Sequence, residues 1–355
     1  MIKTRTRTIK YLKAAVVGFL AAKQHQEGKE KRRKIERKAV ACLRPVRECL
    51  LCGELGSCRL VTELMQKRQQ AVREVLPAAQ PAPVHPKNNL NELSGAEWLY
   101  FTKTLLSTAY PSEYGHALRK AHGANKPPRL MKQLIEFFTK RGESVLDPFA
   151  GVGGTLIGAA LCQFPRDCLG IEINPQWVGV YHQVLAAHPE LASYPLVAGD
   201  CREILRDYPD NHFHFITTDP PYNTHFTRTM CTGKYETTHP NRKTDYDMQS
   251  DDVRDLANLE SYEAYLEAMT GVLTACFRVL CPGRYLTIIL RNAYQQGEYI
   301  FTQADLAARA RLAGFIPKGE IIWYQAGTRL RPYGYPYAYV PNIAHQYILV
   351  LQKPK

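Results

Sequence analysis

Along the C-terminal three quarters of the chain, hydrophobic and polar positions follow two alternating rhythms. Seven short, apolar, β-branched runs read as strands: "SVLDPFA" (144–150), "CLGIEI" (168–173), "YPLVAG" (194–199), "FHFITTD" (213–219), "RYLTIIL" (284–290), "GEIIWYQ" (319–325) and "HQYILVLQ" (345–352). Between the first six lie longer stretches with helical spacing, at 153–164, 175–188, 201–208, 259–281 and 303–314. Near-continuous apolar strands alternating with helices predict an α/β fold with a mostly parallel sheet covered on both faces. The seventh run follows the sixth without a helix, which predicts an antiparallel last strand. In such doubly wound sheets, ligands bind beyond the carboxyl ends of the strands.

Upstream the pattern changes. Residues 1–80 are helical in propensity, basic and rich in cysteine; the tract "LPAAQPAPVHPKNNL" (76–90) carries four prolines. This divides the chain into a basic module (1–80), a proline-rich linker (81–90) and the α/β domain (91–355). The net charge of +13 lies almost wholly in the module, which holds 19 Lys+Arg against 7 Asp+Glu. That excess suits a polyanion-binding appendage, with a solvated charged helix as the plainer alternative. The stretch "KEKRRKIERK" (29–38) is suited to phosphates rather than to base reading. The run "LKAAVVGFLAA" (12–22) looks superficially like an export signal, but it is short and a basic tract follows it. It reads as an amphipathic helix of a cytoplasmic protein, with no membrane partner.

The ten cysteines show no obvious extracellular framework, which points to a reducing compartment. Cys42, Cys49, Cys52 and Cys58 are spaced C-x6-C-x2-C-x5-C. Four thiolates can close a tetrahedral structural zinc site; an iron–sulfur cluster and free buried thiols remain the alternatives.

Three strand ends carry cofactor-binding character. The first strand runs into "LDPFAGVGGT", with Gly151 and Gly153 between strand and helix, where positive φ and close backbone approach are permitted. The second ends in "GIEINP"; Glu172 lies 25 residues after Asp147, about where such sheets place an acid for ribose hydroxyls. The third ends in "AGDC", with Asp200 placed for an adenine amino group and Cys201 beside it. The glycine loop lacks a Lys-Ser/Thr phosphate cradle, which argues against NTP hydrolysis and leaves a dinucleotide open.

The fourth strand ends in "DPPY", Asp219 to Tyr222. Pro220 and Pro221 fix the backbone and donate no hydrogen bond, so the strand must stop there. With that motif the chain resembles the S-adenosylmethionine-dependent DNA amino-methyltransferases, which modify adenine N6 or cytosine N4. "VLDPFAGVGG" resembles the family's cofactor loop, "GIEINP" its second motif, "DPPY" its catalytic motif and "AHQYILVLQKP" its last strand. "AHGANKPPRLMKQLIEFF" (121–138) resembles the segment over the methionine end, with Lys126 and Pro127 at the matching positions.

The resemblance implies a Rossmann-like class I methyltransferase fold. It implies S-adenosylmethionine held by Lys126, Asp147, Phe149, Gly151, Gly153, Thr155, Glu172, Ile173, Asp200 and Cys201. It also implies a base pocket of Asp219, Pro220, Pro221 and Tyr222. An aromatic amino nitrogen is a poor nucleophile because its lone pair is delocalised; two acceptors on its protons localise that pair. Asp219 and the Pro220 carbonyl are those acceptors, and Tyr222 offers a stacking face. Duplex DNA, the expected partner, would have to extrude its base to reach them. Asp219 and Asn223 favour adenine, with cytosine-N4, RNA amino-methylation and an inactive nucleic-acid-binding protein as rivals.

Two further segments are candidates for substrate contact. Residues 223–258 form a long polar stretch with Arg228, Lys234, Arg242 and Lys243, tempered by Asp245, Asp247, Asp251 and Asp252. "GTRLRPYGYPYAYVPN" (327–342) interleaves Arg329 and Arg331 with four tyrosines. It reads equally as a nucleic-acid grip or as a hairpin packing its tyrosines on the core. The cofactor motifs precede "DPPY", whereas many members of the family have the reverse order, so the sequence-reading element is not identified.

Overall fold

The computed structural model describes residues 83–123, 125–221, 250–325 and 327–355. All lie within Ala82–Lys355, one of two units into which the chain divides. The N-terminal cysteines Cys42, Cys49, Cys52 and Cys58, Tyr222 and most of the 223–258 stretch lie outside the described residues.

The strand-forming runs become β2 (Ser144–Asp147), β3 (Asp167–Glu172), β4 (Leu196–Ala198), β5 (Phe213–Thr218), β6 (Leu280–Leu290), β9 (Ile316–Tyr324) and β10 (His345–Gln352). An eighth, β1 (Leu105–Leu106), adds an edge the sequence pattern did not reveal; two residues carry no readable period. The order is β1-β9-β10-β6-β5-β2-β3-β4. β10 runs antiparallel to both β6 and β9, and every other pairing in the sheet is parallel. A small hairpin, β7 (Ala293–Gln295) with β8 (Glu298–Ile300), follows β6.

Side chains alternate across the sheet as period two requires. Val145, Phe215, Ile289 and Ile348 face one core cluster, whereas Leu146, Ile216, Ile288 and Leu349 face the other. The first face is covered by α3 (Pro128–Phe138), α4 (Gly154–Ala160) and α5 (Pro175–Ala187). The second is covered by α7 (Tyr262–Val279) and α8 (Thr302–Leu312). The short helices α1 (Gly95–Phe101), α2 (His116–Arg119) and α6 (Cys201–Ile204) complete the set among the described residues.

Local signals set the helix starts. Ser94 and Glu97 form a reciprocal capping box at α1. Pro175 opens α5 behind Asn174, whose side chain accepts the Gln176 N–H at 3.0 Å. Ser261 caps α7 through the Ala264 N–H.

The domain begins earlier than residue 91. Asn88 accepts the Leu90 and Asn91 N–H groups, and its carbonyl takes Lys140 Nζ at 2.6 Å. Asn91 donates to the Phe137 carbonyl at 2.6 Å. The end of the proline-rich tract is therefore docked on α3. Its asparagines supply side-chain hydrogen bonds that a linker composition does not advertise.

Candidate functional site

The sheet reverses its winding between β2 and β5, and Asp147, Glu172 and Asp219 lie at or just beyond the strand ends beside that crevice. Asp147, the last residue of β2, is buried and turned inward. Its carboxylate accepts the Phe149 N–H at 3.0 Å, the Thr155 hydroxyl at 2.5 Å and the Thr218 hydroxyl at 2.8 Å. Burial, opposed by these donors, raises its pKa to about 6. Asp147 thus fastens the start of α4 and the end of β5, one residue before Asp219. Phe149 and Ile173 are half-buried at the rim.

Glu172 ends β3. One carboxylate oxygen accepts the Gly151 N–H at 2.9 Å and the other the Asn174 N–H at 2.9 Å. Each oxygen keeps acceptor capacity for another donor, which is what a ribose diol needs. Burial, opposed by the two amides, pushes its pKa up to about 7.

The glycines have a second reason to be glycine. Gly151 has φ +50° and Gly153 φ +76°, both in the left-handed region. A Cβ on Gly151 would lie 3.2 Å from His122 Nε2, and one on Gly153 only 2.2 Å from the Tyr181 ring. At Gly153 the protein itself makes a close approach.

Asp200 is already engaged. It caps α6 through the Arg202 N–H and takes the Arg202 guanidinium, with Nη2 at 2.6 Å. Burial works against its charge, but Arg202 outweighs burial and holds the carboxyl below its usual range. The Cys201 side chain is buried in the α7 core, and burial pushes its thiol well up. Spacing alone does not distinguish a residue beside the crevice from one beneath it.

Lys126 joins the two halves of the site. Its ammonium pairs with the Asp219 carboxylate, with the two side chains 9% and 12% exposed. Its carbonyl accepts from the buried Arg119 guanidinium at 3.0 Å and lies against Gly154 at the head of α4. Pro220 is buried and Pro221 half-buried after Asp219.

Sequence reasoning missed His122. Its ring covers Gly151 and meets Trp177 edge-on, with centroids 4.9 Å apart. Its Nδ1 is shut from solvent without a hydrogen-bond partner among the described residues. Burial, then the nearby Lys126 charge, lowers its pKa to about 4, so the ring is neutral. The spare acceptors on Glu172 fit the ribose of a polar nucleoside cofactor. The only signal in the sequence was the position of His122 inside the quoted 121–138 segment.

The far end of the 223–258 stretch, at 250–258, is bound down. Asp252 pairs with Arg254, Arg254 reaches Glu203, and Arg202 donates to the Arg254 carbonyl at 3.0 Å. Of the acidic cluster, Asp252 is thus neutralised locally; Asp245 and Asp247 lie outside the described residues. In the 327–342 segment, Tyr335, Tyr337 and Tyr339 stand exposed rather than packed on the core. Among the described residues, no three His, Cys, Asp or Glu gather as a metal site, and no helix is long and apolar enough to cross a membrane.

A family model described as DNA methylase, of the N6/N4 type, matches residues 20–182 and 213–355. The chain belongs to the DNA methylase family. The match includes much of the basic N-terminal stretch as well as every crevice residue named above except Asp200 and Cys201 with its neighbours. The chain is 32% identical over 112 residues to the tRNA (guanine(10)-N2)-dimethyltransferase of Pyrococcus abyssi, covering 29% of the chain and 30% of that protein. It is 46% identical over 61 residues to the Type II methyltransferase M.HindIII of Haemophilus influenzae, covering 17% and 18%. Among solved structures it is similar to TrmN from Thermus thermophilus, with a TM-score of 0.37, 17% identity and coverage of 67% and 48%. The matches span less than a third of the length of these curated relatives and about half of the solved chain.

Proposed function

We propose that this protein transfers a methyl group from S-adenosylmethionine to the exocyclic amino nitrogen of a base in DNA, adenine N6 being favoured. The observation that carries the reading is Asp219. It stands at the end of β5, beside the glycine loop, and the Lys126 ion pair links it to the segment above that loop.

S-adenosylmethionine, when bound, supplies an electrophilic methyl on a positively charged sulfur. Glu172 would hold its ribose hydroxyls, and the His122 and Lys126 segment would close over it. Asp219 and the Pro220 carbonyl accept the two amino protons of the target base and localise the lone pair on nitrogen. As the new N–C bond forms, the methyl's bond to sulfur would break with its electrons left on a neutral thioether, and Asp219 would take the proton that the nitrogen sheds. Tyr222, outside the described residues, is assigned the stacking face on motif position alone. A structural zinc on Cys42, Cys49, Cys52 and Cys58, and a cytoplasmic setting, likewise rest on sequence.

Purified protein, given deuterium-labelled methyl donor with DNA or with tRNA, tests the reading through mass spectrometry of the digested nucleosides. Labelled N6-methyladenine in DNA is the expected product. Labelled N4-methylcytosine would move the target base. Label in tRNA guanine alone would favour the chemistry named for the Pyrococcus relative and overturn the DNA reading. Absence of label beside tight cofactor binding would leave a nucleic-acid-binding protein.

Glu172 makes cofactor binding pH-dependent. The carboxyl sits at about 7 in the folded chain, so below that pH it holds a proton. Ribose hydroxyls donate to the carboxylate, so binding favours the ionised form. Affinity should therefore rise with pH and level off above about 7. Calorimetric titration of the cofactor between pH 5.5 and 8 reads this. Glu172→Gln should abolish the slope and weaken binding roughly 10- to 100-fold at pH 8, the range for lost hydrogen bonds to a charged group.

A further inference from the structure

The β9–β10 connection is built rather than loose. Asn342 closes its neck, accepting the Arg331 N–H at 2.8 Å and donating to the Arg331 carbonyl at 2.8 Å. Arg291, just beyond β6, donates to the Ile343 carbonyl and fixes the base. Inside, the Gly334 carbonyl accepts from both Tyr337 and Ala338 at 2.7 Å. Gly334 has φ +72°, and a Cβ there would meet the Ala338 carbonyl at 2.3 Å, so this tight turn demands glycine.

A turn held this firmly would ordinarily bury its aromatics. Here Tyr335, Tyr337 and Tyr339 are 80%, 94% and 86% exposed. Arg329 is exposed and Arg331 half-buried beside them, and no Asp or Glu occurs between Glu320 and Lys355. Topology places the loop on the working side of the sheet. β9 is in register with β10 and β6 so that its carboxyl end lies at the same sheet edge as the end of β5, where Asp219 stands.

Resting on the proposed function, we infer that residues 329–342 form a preorganised platform that stacks on unpaired bases of the nucleic-acid substrate. The arginines meet the phosphates. Aromatic faces accept any base, and each stacked base is worth about 1–3 kcal/mol, a roughly 5- to 150-fold change in affinity. A phosphate-only contact would use the arginines and leave the rings idle; three exposed rings on one acid-free loop fit bases made available by strand opening. Preorganisation lowers the ordering cost of binding.

The test uses the full chain and a fluorescein-labelled 20-nucleotide single strand of mixed sequence, its perfect duplex, and a duplex with a three-nucleotide bulge. Anisotropy is followed across a salt series with S-adenosylhomocysteine present. The triple variant Tyr335→Ala, Tyr337→Ala, Tyr339→Ala should lose at least tenfold affinity for the single strand and the bulged duplex. It should lose less for the perfect duplex and keep its salt slope. The matching Tyr→Phe triple variant should bind as wild type, because the ring is retained. Arg329→Ala with Arg331→Ala should instead flatten the salt slope, by roughly one unit per phosphate contact.

Unchanged affinity in the Tyr→Ala variant overturns the platform, as does equal loss for perfect and opened DNA. Calorimetric cofactor affinity and melting temperature, expected at wild-type values, exclude a folding defect. The two readings fail separately. Tyrosine-dependent binding without methyl transfer to any nucleic acid would sink the proposed enzyme and keep the platform. Normal methylation by the Tyr→Ala variant with normal single-strand affinity would do the reverse.

Discussion

Asp219→Asn should lower kcat for methyl transfer by roughly 10²–10³-fold, the scale seen when one polar group that stabilises developing charge is removed. The amide keeps the shape but loses the charge and one acceptor oxygen, so the amino lone pair is no longer localised. The substitution has a second effect, because Asp219 pairs with Lys126 and both side chains are largely buried. Removing one partner of a buried pair leaves an uncompensated charge and costs about 3–5 kcal/mol. That range is an upper bound here, since both groups retain some solvent contact. The two effects separate in a cycle. Lys126→Met combined with Asp219→Asn should recover most of the lost stability in urea unfolding, while kcat stays low. If the double variant regains activity, Asp219 acts through the ion pair and not on the base.

Gly153→Ala should be strongly destabilising. Its Cβ would stand 2.2 Å from a ring carbon of Tyr181. That ring is fully buried, and its hydroxyl donates to the Tyr194 carbonyl and accepts the Tyr194 N–H, so it cannot swing aside. Left-handed backbone adds about 1–2 kcal/mol for an alanine, and overpacking about 1–3 kcal/mol. The sum, about 2–5 kcal/mol, corresponds to a fall of roughly 10 °C in Tm. Tyr181→Leu in the same chain should return the overpacking part and leave the backbone part. Gly271→Ala is the control: it lies exposed in α7 with nothing within 4 Å of the new Cβ. It should be neutral or stabilising by up to about 1 kcal/mol. If Gly153→Ala leaves Tm unchanged and only weakens cofactor binding, the glycine serves the ligand after all.

Strand ends were legible because two independent patterns meet there. The run to Asp219 is apolar and then stopped by two prolines, and the run to Asp147 is followed by glycines. Such features are local, so one segment suffices to read them. What escaped was contact between segments distant along the chain. Nothing in "AHGANKPP" announces that Lys126 will pair with Asp219, 93 residues later, or that His122 will lie over Gly151. Asp200 is a different case. Its position was read correctly as a strand end, but Arg202, two residues on, occupies its carboxylate. The tyrosines of 333–339 could not be assigned from sequence, because exposed and packed aromatics share a composition. Tyr335, Tyr337 and Tyr339 prove exposed, whereas Tyr333 is half-buried.

The antiparallel last strand carries a consequence for how the molecule is made. β10 is the final strand of the sheet along the chain, yet it fills an interior lane between β6 and β9. During synthesis the Tyr285–Leu290 edge of β6 cannot take its native partner until His345–Gln352 has emerged. At translation rates of about 5–20 residues per second, the roughly 60 intervening residues take on the order of 3–12 seconds. Through that interval an apolar edge, one strand from β5, is open to pairing with a neighbouring nascent chain. Arrest of translation just before residue 345 should therefore yield a species that aggregates or binds chaperones, and release should cure it.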